Sequence, residues 1–307
     1  MIRFEQLKNK PAMLKCLTGL TMEGFLDLLP AFAVAFMAHS DQRDAQRGTP
    51  RQRERGAGQK GALPSVADKL VFILFYFRLY PVQTAQGFFF GMGQPQANEW
   101  IHRLSPVLKA ALGYDLQLPG RQPQDIKAIL ETCPGLEFII DGTERAIRRP
   151  QDAERQKANY SGKKKRHTRK NNVITDKRTG KVKGLSPTVE GKRHDKKLAD
   201  EQDGAFPPGS TLWKDTGFQG YAPKNVKTLQ PTKKPKGRDL SLEEKAANRL
   251  ISKDRILIEH TLGGVKVFRI VHDVFRNVRE GFDDWVMEIA CGLHNFRLDH
   301  PLPLKDP

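Results

Sequence analysis

The chain has 307 residues, of which 38% are hydrophobic, and it carries a net charge of +17. This is enough apolar sequence for a folded core, and no apolar run approaches the roughly 18–20 residues of a membrane span, so we expect a protein of the cytoplasm. The three cysteines lie far apart in the sequence, which excludes a disulfide scaffold and a zinc ribbon.

The first 63 residues predict short helices and a linker. The segments Leu14–Leu20 and Met22–Ala38 are apolar at helical spacing, and Pro30 interrupts the second of them. We therefore expect two short helices within residues 1–40. Residues 41–63 are rich in Arg, Gln and Gly and predict a flexible basic linker.

Residues 64–130 predict an all-α helix-turn-helix region. Ser65 is a suitable cap for a helix over residues 66–78, a second short helix follows over 83–89, and the turn at 91–93 precedes a third helix from Gln94. A separate helix is expected from Ser105 to Leu112. Three polar residues of the third helix are candidates for base contacts in a major groove: Gln96, Asn98 and Arg103. The same spacing also suits a plain three-helix packing module.

Residues 131–307 predict a mixed α/β domain. Strands are expected at 136–140, 167–175, 182–189 and 211–214, with a hairpin turn at 177–180. Helices are expected at 195–203, from a capping box at Ser241 and Glu244 to about Leu262, and at 283–298. Strands alternating with helices in this order predict a mixed sheet with helices packed on it.

Positive charge is concentrated in one window of this domain. Residues 145–197 hold 19 basic and 5 acidic side chains. By contrast, residues 1–144 hold 16 basic and 14 acidic side chains, and residues 198–307 hold 17 basic and 16 acidic ones. Such an excess is typical of a surface that binds a polyanion, although a basic run is often only a solvated face. The candidate phosphate contacts are Lys163, Lys164, Lys165, Arg166, Arg169 and Lys170, together with Lys233, Lys234 and Lys236 in a later loop.

Three acids are candidates for a metal site. Asp141 and Asp215 each follow a predicted strand, and Glu259 lies on the long helix on the same face as Ser252 and Arg255. Three carboxylates from three elements can hold two Mg²⁺ ions about 3.5–4 Å apart. Each acid also has an ordinary explanation, as a turn residue, a helix cap or half of a surface ion pair.

The segment Ser252-x2-Arg255-x3-Glu259-x6-Lys266 resembles the Tyr-x2-Arg-x3-Glu-x6-Lys signature of bacterial insertion-sequence transposases of the DDE class, with Ser in place of Tyr. Further segments resemble, in the same order, a subgroup of these transposases that is related to Harbinger-type elements. They include IIDGTERAIRRP, YSGKKKRHTRKNNVI, LSPTVEGKRHDKKLAD and WKDTGFQGY. The resemblance covers roughly residues 66–297.

This resemblance implies a ribonuclease-H-like core with Asp141, Asp215 and Glu259 as the catalytic and metal-binding triad. It implies two Mg²⁺ ions, for which Mn²⁺ is expected to substitute, and DNA or glutamate contacts for Arg255 and Lys266. The implied partners are double-stranded DNA, as element terminal repeats and target, and a second copy of the chain, because two element ends are handled together. No membrane and no nucleotide cofactor are expected, and the expected location is the nucleoid.

Two other functions stay open. A catalytically inactive or domesticated transposase would bind DNA without cutting it, and the intact triad favours the enzyme instead. An RNA-binding protein would need recognition-module aromatics or a Gly-x-x-Gly clamp, and the sequence shows neither in a suitable context.

Overall fold

Helices rich in buried aromatic side chains form the first of two units in the computed structural model. The model describes residues 1–46, 48, 61–202, 204–235 and 237–301. The first unit contains residues up to 118, residues 267–270 and residues from 285 onward. Its helices are α1 (Phe4–Leu7), α2 (Pro11–Thr18), α3 (Met22–Gln46), α4 (Val66–Leu79), α5 (Gln83–Phe90) and α6 (Gln94–Tyr114).

The predicted start of α4 is confirmed by a capping box. The Asp68 backbone N–H donates to Ser65 Oγ at 3.0 Å, and the Ser65 N–H donates to the Asp68 carboxylate at 3.2 Å. Two donors that would otherwise lack partners at the helix N-terminus are thereby satisfied. The helix then buries ten consecutive residues, which places it at the centre of the first unit.

The two internal prolines do not end their helices, which corrects two predictions. Helix α3 continues through Pro30 to Gln46 and so includes the start of the predicted linker, and α6 continues through Pro106 to Tyr114. A proline removes one helical hydrogen bond, but apolar burial on both sides of it outweighs that loss. In α3, Phe25, Leu28 and Phe32 are fully buried. Residues 47 and 49–60 of the predicted linker lie outside the described residues.

By length and composition alone, α3 could cross a membrane, which the sequence analysis did not foresee. This is weak evidence for a membrane span, because core helices pass the same test. Helix α3 contacts α4 and α6, and its three most deeply buried large side chains lie within the first unit. Most of its apolar stretch is nevertheless not buried, with Leu26, Val34 and Met37 exposed, so α3 contributes to the core with only part of its surface.

The second unit, formed by the described residues of 119–266 and 271–284, contains a seven-stranded mixed sheet. Its strands are β1 (Glu137–Ala146), β2 (Tyr160–Ser161), β3 (Arg166–Asp176), β4 (Val182–Leu185), β5 (Val189–Glu190), β6 (Thr211–Lys214) and β7 (Lys227–Leu229). The order is β2-β3-β1-β6-β7, and β4 and β5 also pair with β3. Strand β1 is antiparallel to β3 and parallel to β6. The predicted fold class, an all-α region followed by a mixed α/β core, is confirmed.

Helices flank this sheet. They are α7 (Pro123–Glu131), α8 (Ala153–Asn159), α9 (Asp195–Asp200) and α10 (Leu242–Lys266); α11 (Arg269–His272) and α12 (Phe282–Asp299) complete the chain. The predicted capping box of α10 is present, with the Glu244 N–H donating to Ser241 Oγ at 3.1 Å and the Ser241 N–H to the Glu244 carboxylate at 2.8 Å. One apolar cluster lies on the face of the sheet where Phe138 and Ile140 pack with Ile126, and Ile139 and Val173, at the alternating positions, are also fully buried.

Several predicted bounds differ from the observed ones. Strand β1 extends to Ala146, so that Asp141 lies inside a strand rather than directly after it. Residues 182–189 belong to two strands instead of one, with Ser186, Pro187 and Thr188 between them. The sheet unit begins at residue 119, and α7 buries Ile126 and Leu130 in its core.

Candidate active site

Strand register places Asp141 and Asp215 side by side. In the parallel pair of β1 and β6, Ile139 lies opposite Trp213 and Ile140 opposite Lys214. The next positions are Asp141, within β1, and Asp215, directly after β6, and the two strands run about 4.8 Å apart. Side chains alternate between the faces of a strand, so Asp141 faces away from the core that Ile140 enters.

Arg255 of α10 lies between the two carboxylates. One terminal nitrogen of its guanidinium is 4.0 Å from Asp141 Oδ1 and 4.0 Å from Asp215 Oδ2. Helix α10 reaches this position because it packs against both β1 and β6. The side chains of Asp141, Asp215 and Arg255 are 19%, 27% and 18% exposed, so the group is shielded but still reachable from solvent. We identify this group as the candidate active site.

The environment of Asp141 disfavours its charged form. Burial raises the pKa of Asp141 to about 6, and the negative charges of Asp215 and Asp195 add to this shift. Arg255 and the Gly142 N–H, which donates to Asp141 Oδ1 at 2.9 Å, oppose it. A nearby cation would therefore stabilise the charged form of Asp141.

A third carboxylate, Asp195 at the start of α9, lies close to the pair. A Cβ atom added to Gly142 would come within 2.6 Å of the Asp195 carboxylate, and one added to Gly217 within 3.2 Å. A side chain at Gly142 would therefore collide with the Asp195 carboxylate, whereas one at Gly217 would first meet Asp215, at 2.8 Å. Lys170 balances the charge, with its Nζ 3.0 Å from Asp195 and 3.5 Å from Glu144. From the sequence, Asp195 is interpreted as a structural or supporting acid near the site and not as one of its three acids.

Glu259, the third predicted acid, is exposed on α10, one helical turn after Arg255. It lies on the side of α10 that carries Arg255 and Lys266, as expected from their spacing, and Ser252 is also exposed. Burial and the charge of Lys164 lower the pKa of Lys266, while Asp141 opposes that shift. Lys266 thus lies within electrostatic reach of both Asp141 and the basic segment that starts at Lys163.

The donor set found here suits a hard divalent cation. Carboxylate oxygens are the ligands that Mg²⁺ prefers, and burial together with the charge of Asp215 raises the pKa of Asp141, so a bound cation would favour its charged form. In the part of the chain that the structure describes, no three His, Cys, Asp or Glu side chains form a ready cluster for a metal ion. The structure places Asp141 and Asp215 around Arg255, and in the described residues neither Glu259 nor Asp195 completes a three-residue cluster with them.

The predicted DNA contacts of this unit fall into two groups. The exposed residues are Lys163, Lys164, Lys165, Arg166, Lys233 and Lys234. By contrast, Lys170 is buried in the ion pairs described above, and Arg169 pairs with Asp283 at 2.9 Å, so neither is free to bind a phosphate. Lys236 lies outside the described residues.

In the first unit, the polar residues of α6 differ in accessibility. Gln96 is exposed near the helix N-terminus, and Asn98 accepts a hydrogen bond from Gln83 Nε2 at 2.8 Å. The Arg103 guanidinium lies 4.7 Å from the Trp100 ring and 5.2 Å from the Phe36 ring, which places it within the helical packing. Gln96 is therefore the most accessible of the three predicted base-reading residues.

Comparisons with known proteins found two family models and a relative that match the chain. The family model for the DDE superfamily endonuclease matches residues 140–295, and the model for the helix-turn-helix of DDE superfamily endonucleases matches residues 61–113. A probable transposase for insertion sequence element IS702 from Microchaete diplosiphon is 27% identical over 235 residues, which cover 76% of this chain and 81% of that protein. No solved structure matches the chain.

Replacing Asp141 with Asn should stabilise the metal-free protein above pH 6. Because the folded-state pKa of Asp141 is raised from 3.8 to about 6, the charged form disfavours folding, and the effect develops as the pH rises from about 4 to 6. Chemical denaturation should show that the free energy of unfolding of the variant exceeds that of the unaltered chain by up to roughly 3 kcal/mol at pH 8 and by almost nothing at pH 4. Asp125→Asn, an exposed carboxylate on α7, is the matched control and should give no such gain. A gain that is equal at both pH values would contradict the assigned environment.

Proposed function

The chain belongs to the DDE superfamily of endonucleases, and from this premise we propose that it is the transposase of an insertion sequence. The observation that carries the proposal is the adjacent register of Asp141 and Asp215, with Arg255 at 4.0 Å from each, inside the region that matches the family. The likeness to the IS702 transposase favours transposition over other nuclease reactions. The proposed core is ribonuclease-H-like.

We propose Asp141, Asp215 and Glu259 as the metal-binding triad. A pair of Mg²⁺ ions, which Mn²⁺ is expected to replace, would activate the attacking oxygen and stabilise the leaving one. In this scheme Asp141 and Asp215 hold the ions, and Glu259 joins them from its exposed position on α10. Arg255 neutralises the two aspartates before a cation binds, and its guanidinium is then placed to bind a DNA phosphate.

The proposed reaction has two steps at this site. Water first attacks the phosphodiester at an element end, which breaks the strand and frees a 3′ hydroxyl. This hydroxyl then attacks a phosphodiester of target DNA, so that one bond forms as another breaks. The partners are the terminal inverted repeats, target DNA and a second copy of the chain, and the proposed location is the cytoplasm, at the nucleoid.

Removing any one acid of the triad should abolish Mg²⁺-dependent cleavage of an element-end duplex. Asp141→Asn, Asp215→Asn and Glu259→Gln should each reduce cleavage to the level without enzyme while leaving duplex binding intact, because the charge lost is a metal ligand. Gel analysis of a labelled end duplex measures the first property and anisotropy the second. Glu243→Gln, an exposed glutamate at the start of the same helix, is the control and should cleave normally.

Glu259→Gln is the most informative of these variants, because Glu259 lies outside the carboxylate pair. Normal cleavage by this variant would remove Glu259 from the triad. Loss of cleavage in Asp195→Asn would then identify Asp195 as the third carboxylate. If the unaltered chain binds its element ends but never cleaves them with Mg²⁺ or Mn²⁺, the inactive DNA-binding protein becomes the better interpretation.

The exposed lysines at 163–165 should contribute phosphate contacts that carry no sequence information. Replacing Lys163, Lys164 and Lys165 together with Ala should reduce the slope of log affinity against log salt by up to about 2.7, since each phosphate contact contributes about 0.9. Replacing Lys8, Lys10 and Lys15 with Ala removes the same charge from the first unit and serves as the control. A slope that falls equally in both triple variants would assign the effect to net charge alone.

Gln96 should read sequence at the element end. Gln96→Ala should weaken binding to the terminal repeat by about 1–3 kcal/mol and leave binding to random DNA unchanged, because a lost base contact affects only specific binding. Competition binding with both duplexes measures the difference. Gln124→Ala, an exposed glutamine on α7, is the control. Equal loss on both duplexes would exclude a base-reading role.

A further inference from the structure

A pocket of about 800 Å³ lies in the sheet unit and contains none of the proposed triad. This volume is typical of a site for a small organic ligand. Three segments build the pocket: the turn into α8 with α8 itself, the paired strands β2 and β3, and the loop after β5. Its lining residues are Arg149, Ala153, Gln156, Lys157, Tyr160, Gly162, His167 and Lys192.

The charge of this pocket is one-sided. Arg149, Lys157 and Lys192 are cationic, and the lining contains no carboxylate. The Arg149 Nε donates to Gln156 Oε1 at 2.8 Å, which fixes the orientation of the guanidinium, while Lys157 and Lys192 are exposed. Three cations that converge on one cavity favour a phosphate as part of the ligand.

The pocket also presents an aromatic surface. Tyr160 on β2 pairs with His167 on β3, and their rings meet edge to face with centroids 5.7 Å apart and planes at 71°. In this arrangement at least one face of the Tyr160 ring is not covered by His167, and Tyr160 is 43% exposed. An exposed ring beside cationic side chains is the combination that binds unpaired nucleotides, because the ring stacks on the base and the cations bind the backbone.

We propose that this pocket binds a single unpaired nucleotide of a DNA strand. The base stacks on Tyr160, and Arg149, Lys157 and Lys192 bind the adjoining phosphate. A fully paired duplex would engage only the cations, because its bases are stacked on one another within the helix. The proposal rests on the proposed function, since it takes the DNA substrate from there.

The position of the pocket fits a nucleotide near the cut. Strand β3 carries His167 at the pocket and Val173 opposite Asp141. Six residues of strand span roughly 20 Å, since each adds about 3.4 Å. Duplex DNA also advances about 3.4 Å per nucleotide along each strand. The pocket therefore lies within about six nucleotides of a scissile phosphate at Asp141. If the duplex opens locally around the cut, a base unpaired there is close enough to enter the pocket.

The test uses the full-length chain with EDTA, so that binding is measured without cleavage. The probes are two labelled duplexes of equal length, one fully paired and one with a single unpaired thymidine. We expect anisotropy to show at least about 5-fold tighter binding to the second probe, because stacking of one base contributes about 1–3 kcal/mol. Tyr160→Ala should abolish this preference, and Tyr160→Phe should retain it. Lys157→Ala with Lys192→Ala should weaken binding to both probes.

Tyr114→Ala removes another exposed tyrosine, on α6, and should keep the full preference. Equal binding of both probes by the unaltered chain would overturn the proposal, as would a preference that survives Tyr160→Ala. If the unaltered chain binds both probes equally and the double lysine variant binds both more weakly, the pocket is a phosphate site that does not bind a base. Mg²⁺-dependent cleavage does not enter these measurements, so this proposal can fail while the proposed function stands.

Discussion

Repulsion among carboxylates, at the point where β1 passes the end of β6, is the constraint on which the second unit depends. Parallel register brings Asp141 beside Asp215, and the Asp195 carboxylate reaches the same region across Gly142 and Gly217. Partial burial raises the pKa of Asp141 to about 6, and the negative charges of Asp215 and Asp195 add to that shift. The surrounding structure places counter-charges against it, with Arg255 between the pair and Lys170 beside Asp195. A bound cation would serve the same electrostatic purpose.

The basic residues of the second unit therefore serve two purposes. Those near the acids are shielded and paired, as Lys170 and Arg255 illustrate, and they allow negative side chains to converge within the fold. Those on the turn between β2 and β3 are exposed, and their charge extends into solvent, where a polyanion can be bound. From the sequence, the paired and the exposed basic residues contribute alike to one excess of positive charge. Their burial in the structure distinguishes the two groups.

Local sequence signals predicted the elements well where side chains act on their own backbone. The caps at Ser65 and Ser241, the hairpin turn after β3 and the bounds of β6 depend on neighbours within a few residues, and each is observed. Pro30 and Pro106 misled the prediction, because proline lowers local helix stability while distant apolar contacts hold α3 and α6 intact. These two predictions failed because tertiary packing contributes stability that a short stretch of sequence does not reveal.

The sequence by itself determined the fold class, the helix-turn-helix region, the basic window and the candidate acids, because residue type, period and spacing are local properties. Only the tertiary structure decided which acids meet. Adjacent strand register joins Asp141 to Asp215 across 74 positions of sequence, and the packing of α10 on those strands brings Arg255 rather than Glu259 into the pair. Asp195 enters because Gly142 leaves room for it. Such contacts depend on the path of the backbone in space, which determines the distances between charges.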